Sequence, residues 1–218
     1  MYKYELHCHS NPVSACSRFP VKELVKAYID AGYDGIVLTN HINQQTFMNQ
    51  RTSRWPDLIE YFLKDYKDAL KYAGDRLQVL LGAEVHFYEN NNDYLIYGDI
   101  EDFILKHPTM MHYGIKKFSE LAREAGILLI QAHPFRNGMS IVNPKLLDGV
   151  EIHNGHPRHH SRNDIASLWQ ERYHLLYSAG SDAHERGDIS SGILTEVEIK
   201  DNITLLEVLK TGNFDIIK

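Results

Sequence analysis

The strongest constraint on the fold is an alternation of short apolar segments with amphipathic helical ones. Residues 35–38, 78–81 and 127–130 are short apolar runs typical of buried strands. Residues 20–31 and 55–72 carry apolar side chains at helical spacing. Further strands are predicted at 3–6, 94–97, 149–152, 175–177 and 193–199, and further helices at 113–125, 161–173 and 201–210. Such alternation favours parallel βαβ units. Seven or eight units predict an α/β barrel, with an open doubly wound sheet as the alternative.

Composition narrows the class of protein. The chain has 218 residues, of which 43% are hydrophobic and 24% charged, as in an ordinary globular protein. We expect one domain spanning residues 1–218, because no linker or repeat divides the chain. No apolar run is long enough to cross a membrane, so no membrane partner is expected. The N-terminal residues lack the features of a signal peptide, and two cysteines make no disulfide framework, so a cytoplasmic location is expected.

The formal net charge of −6 makes this chain a poor non-specific binder of long nucleic acid, and no such partner is expected. A small substrate remains possible. No glycine-rich phosphate loop follows any predicted strand, and Ser181 lacks the flanking glycine pattern of a serine hydrolase.

Ligand-type side chains follow five of the predicted strands. They are His7, His9, His41, Glu84, His133, Asp182 and His184. Catalytic residues of a parallel barrel collect at the C-terminal ends of the strands, so these residues should converge there. The pairs at 7/9 and 182/184 are two residues apart, which places both side chains of an extended pair on one side. Because three or four ligands suffice for one zinc ion, the set predicts two or more metal ions, with Glu84 as a candidate bridge.

These residues resemble the PHP family, the polymerase and histidinol phosphatase superfamily, over nearly the whole chain. The matching motifs are His-Cys-His-Ser at 7–10, Thr-Asn-His at 39–41, Gly-Ala-Glu at 82–84, Ala-His-Pro at 132–134 and Gly-Ser-Asp-Ala-His at 180–184. The resemblance implies a distorted (β/α)7 barrel of the TIM-like type. It also implies up to three divalent ions (zinc, manganese or iron) at the strand ends, and hydrolysis of phosphoesters by a stand-alone domain.

The resemblance also implies a ligand set for each ion. The first ion would be held by His7, His9, Glu84 and Asp182, the second by Glu84, His133 and Asp93, and the third by His41, His184 and Cys16. Three positions depart from the family pattern: Cys16 stands where an aspartate or histidine is usual, Asp93 where a histidine is usual, and Asn40 where an aspartate is usual. A Cys16 thiolate is a soft ligand and would favour zinc. Two ions are an alternative to three.

The expected reaction is hydrolysis of a small phosphomonoester by a hydroxide that bridges two metal ions. Glu84, Asp182 and His184 are the candidate catalytic residues, and His184 or a water on the third metal would protonate the leaving group. Arg136, Arg158 and His156 are the candidate substrate-binding residues, because guanidinium groups bind phosphate oxygens in a fork. Three ions of charge +2 beside Glu84, Asp93 and Asp182 leave a local charge of about +3, which attracts phosphate to an acidic protein.

Three alternatives use the same residues. A phosphodiesterase or exonuclease on nucleotides or short oligonucleotides would stack bases on aromatic residues such as Phe47, Trp55 or Phe135. A metal-dependent amidohydrolase would cleave amides or lactones instead of phosphoesters. A non-catalytic metal-binding barrel would bind ions without turnover. The identity of the substrate and the oligomeric state stay open at this point.

Overall fold

A computed structural model of the protein describes all residues from 1 to 218 and contains eleven strands and seven α-helices. The strands are β1 (Tyr2–Cys8), β2 (Gly35–Leu38), β3 (His41–Ile42), β4 (Gln78–Leu81), β5 (Ala83–His86), β6 (Asp93–Tyr97), β7 (Leu128–Gln131), β8 (Gly149–Asn154), β9 (Leu176–Gly180), β10 (Gly192–Thr195) and β11 (Asp215–Ile217). The helices are α1 (Val21–Asp30), α2 (Gln44–Phe47), α3 (Trp55–Ala73), α4 (Ile100–Lys106), α5 (Gly114–Glu124), α6 (Asn163–Tyr173) and α7 (Asn202–Thr211).

The strands form two sheets of mixed direction. One sheet has the order β11-β10-β1-β2-β4 and the other the order β3-β5-β6-β7-β8-β9. Neighbours are parallel in β1-β2-β4 and in β7-β8-β9. They are antiparallel in β5-β6-β7 and in β1-β10-β11. The fold is therefore mixed α/β. The prediction of parallel βαβ units was wrong for these antiparallel strands, of which β5 and β6 are joined by only six residues and need no crossover helix.

The two sheets adjoin at the motifs that carry the predicted metal ligands, residues 7–9 and 182–184, without forming one closed sheet. The Asp182 N–H donates to the His7 carbonyl at 2.8 Å, and the His9 N–H donates to the Ala183 carbonyl at 2.9 Å. These two bonds join β1 of one sheet to the segment after β9 of the other. The Glu84 N–H donates to the Asn40 carbonyl at 3.1 Å, which extends the pairing of β3 with β5 within the second sheet. The sheets remain separate, so the expected (β/α)7 barrel is confirmed only as a mixed α/β fold.

Helix boundaries follow from local sequence signals. Pro20 precedes α1 and Pro56 lies in the first turn of α3, where a missing N–H costs nothing. Gly32 after α1 and Gly74 after α3 have φ of 70° and 52°, which a residue with a Cβ adopts at a cost. The predicted helices and most of the predicted strands are confirmed within a few residues.

The differences lie in short elements. Helices α2 and α4 and strands β3, β5 and β11 were not predicted, because two to seven residues give too little periodicity. The last predicted strand was expected to reach Ile199 but ends at Thr195. The apolar side chain of Ile199 is buried in the core. Its N–H donates to the Tyr4 side-chain hydroxyl at 2.8 Å and not to a strand carbonyl, so Ile199 is not part of the strand. No helix has the length and apolar character needed to cross a membrane.

We expect Gly180 to be required for the seam between the sheets. A Cβ at this position would lie 2.4 Å from the His7 Cβ and 2.8 Å from the His7 amide nitrogen. Gly180→Ala should therefore lower the free energy of unfolding by about 1–3 kcal/mol, the usual cost of overpacking. Urea unfolding measures this loss. Gly187→Ala is the control, since nothing lies within 4 Å of a Cβ there. Equal stability of the two variants would contradict the expectation.

Candidate metal centre

The structure gathers the predicted ligand residues at one end of the strands. His7 lies near the end of β1 and His9 just after it, while His133 follows β7 and Asp182 follows β9. His41 begins β3, and Glu84 lies inside β5 in register with His41. The side chains converge as predicted. Glu84 follows the end of β4, as predicted, and it also lies within the next short strand, β5.

Glu84 lies at the centre of the cluster. Its Oε1 is 3.4 Å from His7 Nε2 and 3.1 Å from His133 Nε2. Its Oε2 is 3.3 Å from His9 Nε2 and 3.0 Å from His41 Nδ1. Because two rings face each oxygen, the geometry of this carboxylate is compatible with a bridge between two cations, and that role remains a prediction.

Asp182 completes the deepest part of the cluster. Its Oδ1 lies 3.5 Å from His7 Nε2 and 3.3 Å from His9 Nε2. The backbone φ of Asp182 is 52° and that of His133 is 30°, both in the left-handed region that costs free energy for residues with a Cβ. At these two strained positions, the His133 ring faces Glu84 and the Asp182 carboxylate faces His7 and His9.

The donor set fits divalent metal ions. His7 Nε2, His9 Nε2 and His41 Nδ1 are buried and make no hydrogen bond, although carboxylate oxygens lie close to them. Two ligand atoms of one tetrahedral zinc ion are about 3.3 Å apart, given bonds of about 2.0–2.1 Å. The nitrogen–oxygen separations of 3.3–3.5 Å from His7 and His9 to Asp182 match this spacing.

Four groups of side chains could each hold one cation, since their ligand atoms lie within 4.8 Å of one another. They are His7, His9 and Asp182; His7, Glu84 and His133; His9, His41 and His184; and His156, His184 and Asp188. Imidazole nitrogens and carboxylate oxygens are the ligands that zinc, manganese and iron take in proteins.

The carboxylates of the cluster are held in their charged form. Burial raises the pKa of Glu84, but the rings of His7 and His41 outweigh it and hold the pKa well below its usual range. Burial likewise opposes ionisation of Asp182, and His7 and His9 lower its pKa well below normal. Both groups are therefore ionised near neutral pH and available to bind cations.

Cys16 and Asp93 lie at the edge of the cluster. Burial raises the pKa of the Cys16 thiol, but hydrogen bonds from His184 and His41 lower it overall to about 6. Asp93 Oδ1 pairs with His86 Nδ1 at 2.9 Å, and Asp93 Oδ2 is 4.0 Å from His133 Nε2. The predicted ligand roles of both residues remain predictions that this placement permits.

A cavity of about 270 Å³ opens above the cluster. Every lining residue except Cys16 is charged or a histidine: the others are His41, Glu84, Asp93, His133, Arg136, His156, Arg158, His159, Asp182 and His184. Such a lining suits a small charged molecule.

The residues predicted to bind substrate line this cavity but are already paired. Arg136 Nη2 donates to Asp182 Oδ2 at 2.7 Å and to Asn154 Oδ1 at 2.8 Å. Arg158 donates to both oxygens of Asp188, at 2.7 and 2.8 Å. Burial lowers the pKa of His156 to about 4, so its ring is neutral. Either arginine would have to share its guanidinium between an acidic partner and a phosphate.

Sequence reasoning missed several side chains around the cluster. Glu151 in β8 accepts from His7 Nδ1 at 2.9 Å, and Asn154 donates to Glu151 at 3.0 Å. Asp188 accepts the His184 N–H at 2.9 Å, and His86 pairs with Asp93. The available signal for Glu151 was a carboxylate inside an otherwise apolar strand segment, Gly-Val-Glu-Ile.

The chain matches one known protein family over most of its length. Residues 5–191 match the family model of the PHP domain. The chain belongs to the PHP family. Among curated proteins, no sequence matches the chain.

Solved structures share the fold of this PHP protein at low sequence identity. A two-domain protein from Bacteroides vulgatus containing a predicted PHP-like metal-dependent phosphoesterase has a TM-score of 0.71 and 16% identity, and the match covers 99% of this chain and 64% of that one. Endonuclease Q in complex with a 27-mer duplex substrate with an abasic lesion at the active site has a TM-score of 0.64 and 15% identity over 96% of this chain and 56% of that one. An amidohydrolase from Chromobacterium violaceum with bound sulfate has a TM-score of 0.62 and 14% identity over 98% and 97%.

We expect divalent ions to stabilise the protein through His9. A ligand that binds only the folded state adds about 2.7 kcal/mol when its concentration is a hundred times Kd. Zinc or manganese should therefore raise the Tm of metal-stripped wild type by several degrees, and His9→Ala should lose most of this increase. Thermal unfolding with and without each ion measures it. The exposed His112→Ala is the control and should keep the full shift. A full shift in His9→Ala would contradict the ligand assignment.

We expect Cys16 to be the reactive thiol of the metal-free protein. With a pKa of about 6, the thiolate forms as pH rises through 6 and is nearly complete at pH 7.5. Iodoacetamide labelling followed by mass spectrometry should show a rate that levels off by that pH. Cys8 is the internal control, because its thiol is buried and burial raises its pKa. A labelling rate at Cys16 that climbs only near pH 8.5, as for an ordinary thiol, would be inconsistent with this environment.

Proposed function

We propose that the protein is a metal-dependent phosphoesterase that hydrolyses a small phosphomonoester, and that residues 1–218 act as one PHP domain. The observation that carries the proposal is the Glu84 carboxylate at the floor of a charged cavity, surrounded by four ring nitrogens of which three make no hydrogen bond. Membership of the PHP family supports a hydrolase acting on phosphoesters.

In this proposal the ligands divide among two or three ions. His7, His9, Glu84 and Asp182 would hold the first, Glu84, His133 and Asp93 the second, and His41, His184 and Cys16 the third. When bound, the divalent ions supply Lewis acidity toward phosphate oxygens and make a nucleophilic water available near neutral pH. Glu84 and Asp182 contribute ionised carboxylates that fix the ions, since their pKa values lie well below the usual range.

His184 has a role that depends on the number of ions. It lines the cavity, and its Nδ1 lies 2.9 Å from the Asp182 carbonyl oxygen. Burial lowers its pKa, but the hydrogen bond with Cys16 and the charge of Asp182 raise the pKa overall. In a two-metal enzyme, a protonated His184 can donate a proton to the leaving alkoxide. In a three-metal enzyme its ring is a ligand instead.

The size and charge of the cavity support a small anionic substrate. Its volume of about 270 Å³ is near the lower end of pockets that enclose small molecules, roughly 300–1,000 Å³. Arg136, Arg158 and His156 surround the space above the metal ligands and are the proposed contacts to the phosphate and the leaving group. Local positive charge lets phosphate approach although the whole chain carries a net charge of −6.

A phosphodiesterase is the second candidate, because the fold resembles that of endonuclease Q, whose structure contains a duplex substrate. Phe47, Trp55 and Phe135 do not line the cavity, so the proposed stacking of bases on them has no support in the geometry. Phe47 and Trp55 pack against each other in a T-shaped pair with ring centroids 5.8 Å apart, and Phe135 packs in the same way on Trp169. We therefore favour a small substrate over a long nucleic acid.

Two measurements test the proposal. Protein purified without added ions is first assayed for bound metal, and the stripped protein is then reloaded with zinc, manganese or iron(II). Hydrolysis of p-nitrophenyl phosphate is compared with hydrolysis of bis(p-nitrophenyl) phosphate. Faster turnover of the monoester supports the phosphomonoesterase, whereas preference for the diester supports the second candidate. An absence of turnover with every ion and a wider substrate panel, including amides, would contradict both.

We expect Arg158 to contribute to phosphate binding. Loss of one charge-assisted hydrogen bond costs about 1.5–3 kcal/mol, so Arg158→Ala should raise KM roughly tenfold or more with a smaller change in kcat. Steady-state kinetics on the best substrate measures both. Arg186→Ala is the control, because Arg186 follows Glu185 in the loop after β9 but pairs with Asp30 on α1 and does not line the cavity. An unchanged KM in Arg158→Ala would show that this arginine serves only its partners Glu185 and Asp188.

A further inference from the structure

We propose that Glu151 is a positioning residue that orients three metal ligands from three separate segments of the chain. This inference rests on the metal site of the proposed function. Glu151 lies in β8, is 1% exposed, and does not line the cavity above the cluster. It therefore acts from behind the ligands and not on substrate.

The first contact fixes the ring of His7. Glu151 Oε1 lies 2.9 Å from His7 Nδ1, and an ionised carboxylate can only accept a hydrogen bond. Nδ1 must then carry the hydrogen, and Nε2 is left as the nitrogen directed at Glu84 and Asp182. A histidine that gives its second ring N–H to a carboxylate is held in one tautomer and one orientation and is a more basic ligand.

The second contact fixes the backbone at His133. The His133 N–H donates to Glu151 Oε2 at 2.9 Å. His133 has a φ of 30°, so its backbone is strained and depends on surrounding contacts to stay in place. The same carboxylate thus secures the ring of one ligand and the main chain of another.

The third contact reaches Asp182 through an amide. Asn154 Nδ2 donates to Glu151 Oε2 at 3.0 Å and lies 3.3 Å from Asp182 Oδ2. Asn154 Oδ1 in turn accepts from Arg136, which also donates to Asp182. The Asp182 Oδ2 atom is therefore held by two donors, and Oδ1 is left to face His7 and His9.

Glu151 has to be a carboxylate in this arrangement. His7 Nδ1, the His133 N–H and Asn154 Nδ2 are all donors, and they converge on its two oxygens. A glutamine of the same shape replaces one accepting oxygen with an NH₂ group, which would point at a donor whichever way the amide is turned. One buried donor would lose its acceptor, or the His7 ring would change tautomer.

Glu5 supplies a matched control. It is 0% exposed and also accepts three hydrogen bonds, from the amides of His7 and Ser181 and from the Tyr28 hydroxyl. None of its contacts involves a histidine ring. Support of a ligand's main chain alone would make Glu5→Gln and Glu151→Gln equivalent, since Glu5 also accepts the His7 N–H. Orientation of the His7 ring and of Asp182 would affect metal binding only in Glu151→Gln.

The experiment measures zinc and manganese affinity by competition with a chromophoric chelator. It uses the full chain at a temperature where circular dichroism shows that each stripped variant is folded. We expect Glu151→Gln to bind the ions 10- to 100-fold more weakly than wild type, as for other partners behind metal ligands. Turnover at limiting metal should fall and should be restored by excess metal. Glu5→Gln should lower Tm but keep metal affinity within threefold of wild type.

Equal affinity in Glu151→Gln and wild type, or an equal loss in Glu5→Gln, would overturn the inference and leave the metal site intact. A wild type that binds no ion would overturn the metal site and this inference together. If Glu151→Gln does not fold, ¹⁵N NMR of the zinc-loaded wild type decides. We expect His7 to carry its hydrogen on Nδ1 and to bind through Nε2, and the opposite tautomer would exclude the contact with Glu151.

Discussion

The burial of several carboxylates within one cluster is the constraint on which the site depends. Glu84, Glu151 and Asp182 are each 1–2% exposed, and burying an unpaired charge costs several kcal/mol. Without a cation, positive charge has to come from the histidine rings, and indeed the carboxylates around His7 raise its pKa well above normal despite burial. A bound divalent ion supplies the same charge and leaves the rings neutral. Folding and metal binding are therefore linked in this arrangement.

The backbone is shaped by the same requirement. His133 and Asp182 adopt positive φ, and Gly180 has no Cβ where one would meet His7. The bonds between the His7 carbonyl and the Asp182 amide, and between His9 and Ala183, join the two sheets at the point where these ligands meet. The seam between the sheets and the metal cluster are thus one structural unit, and a change in either should affect the other.

The sequence was sufficient to predict which side chains meet, but not how they are supported. The convergence of His7, Glu84, His133 and Asp182 was predictable because ligand residues after successive strands must share one end of a sheet. The direction of the strands could not be predicted in the same way. The chain reverses at β6 through a connection of six residues after β5, and so short a segment gives no periodic signal. The pairing of Arg136 with Asp182 was also hidden, because 46 positions separate the two residues. From the sequence alone, an arginine beside the predicted ligands was interpreted as a substrate contact. Its carboxylate partner Asp182 is identified only by the three-dimensional structure.

The unusual residue at position 40 shows how a departure from a family pattern can be structural. Asn40 Oδ1 accepts from the Ser10 amide at 2.7 Å and from the Ser14 hydroxyl at 2.8 Å, and Asn40 Nδ2 donates to the Ser10 hydroxyl at 2.8 Å. Ser14 Oγ in turn accepts the His41 N–H at 3.0 Å. Because the Ser10 hydroxyl gives its own hydrogen to Asp65, it can only accept a hydrogen bond from residue 40. The Asn40 amide donates this bond, whereas an ionised carboxylate has no hydrogen to donate. The asparagine therefore carries no negative charge beside His41, and its amide oxygen accepts from the Ser14 hydroxyl that in turn accepts the His41 N–H.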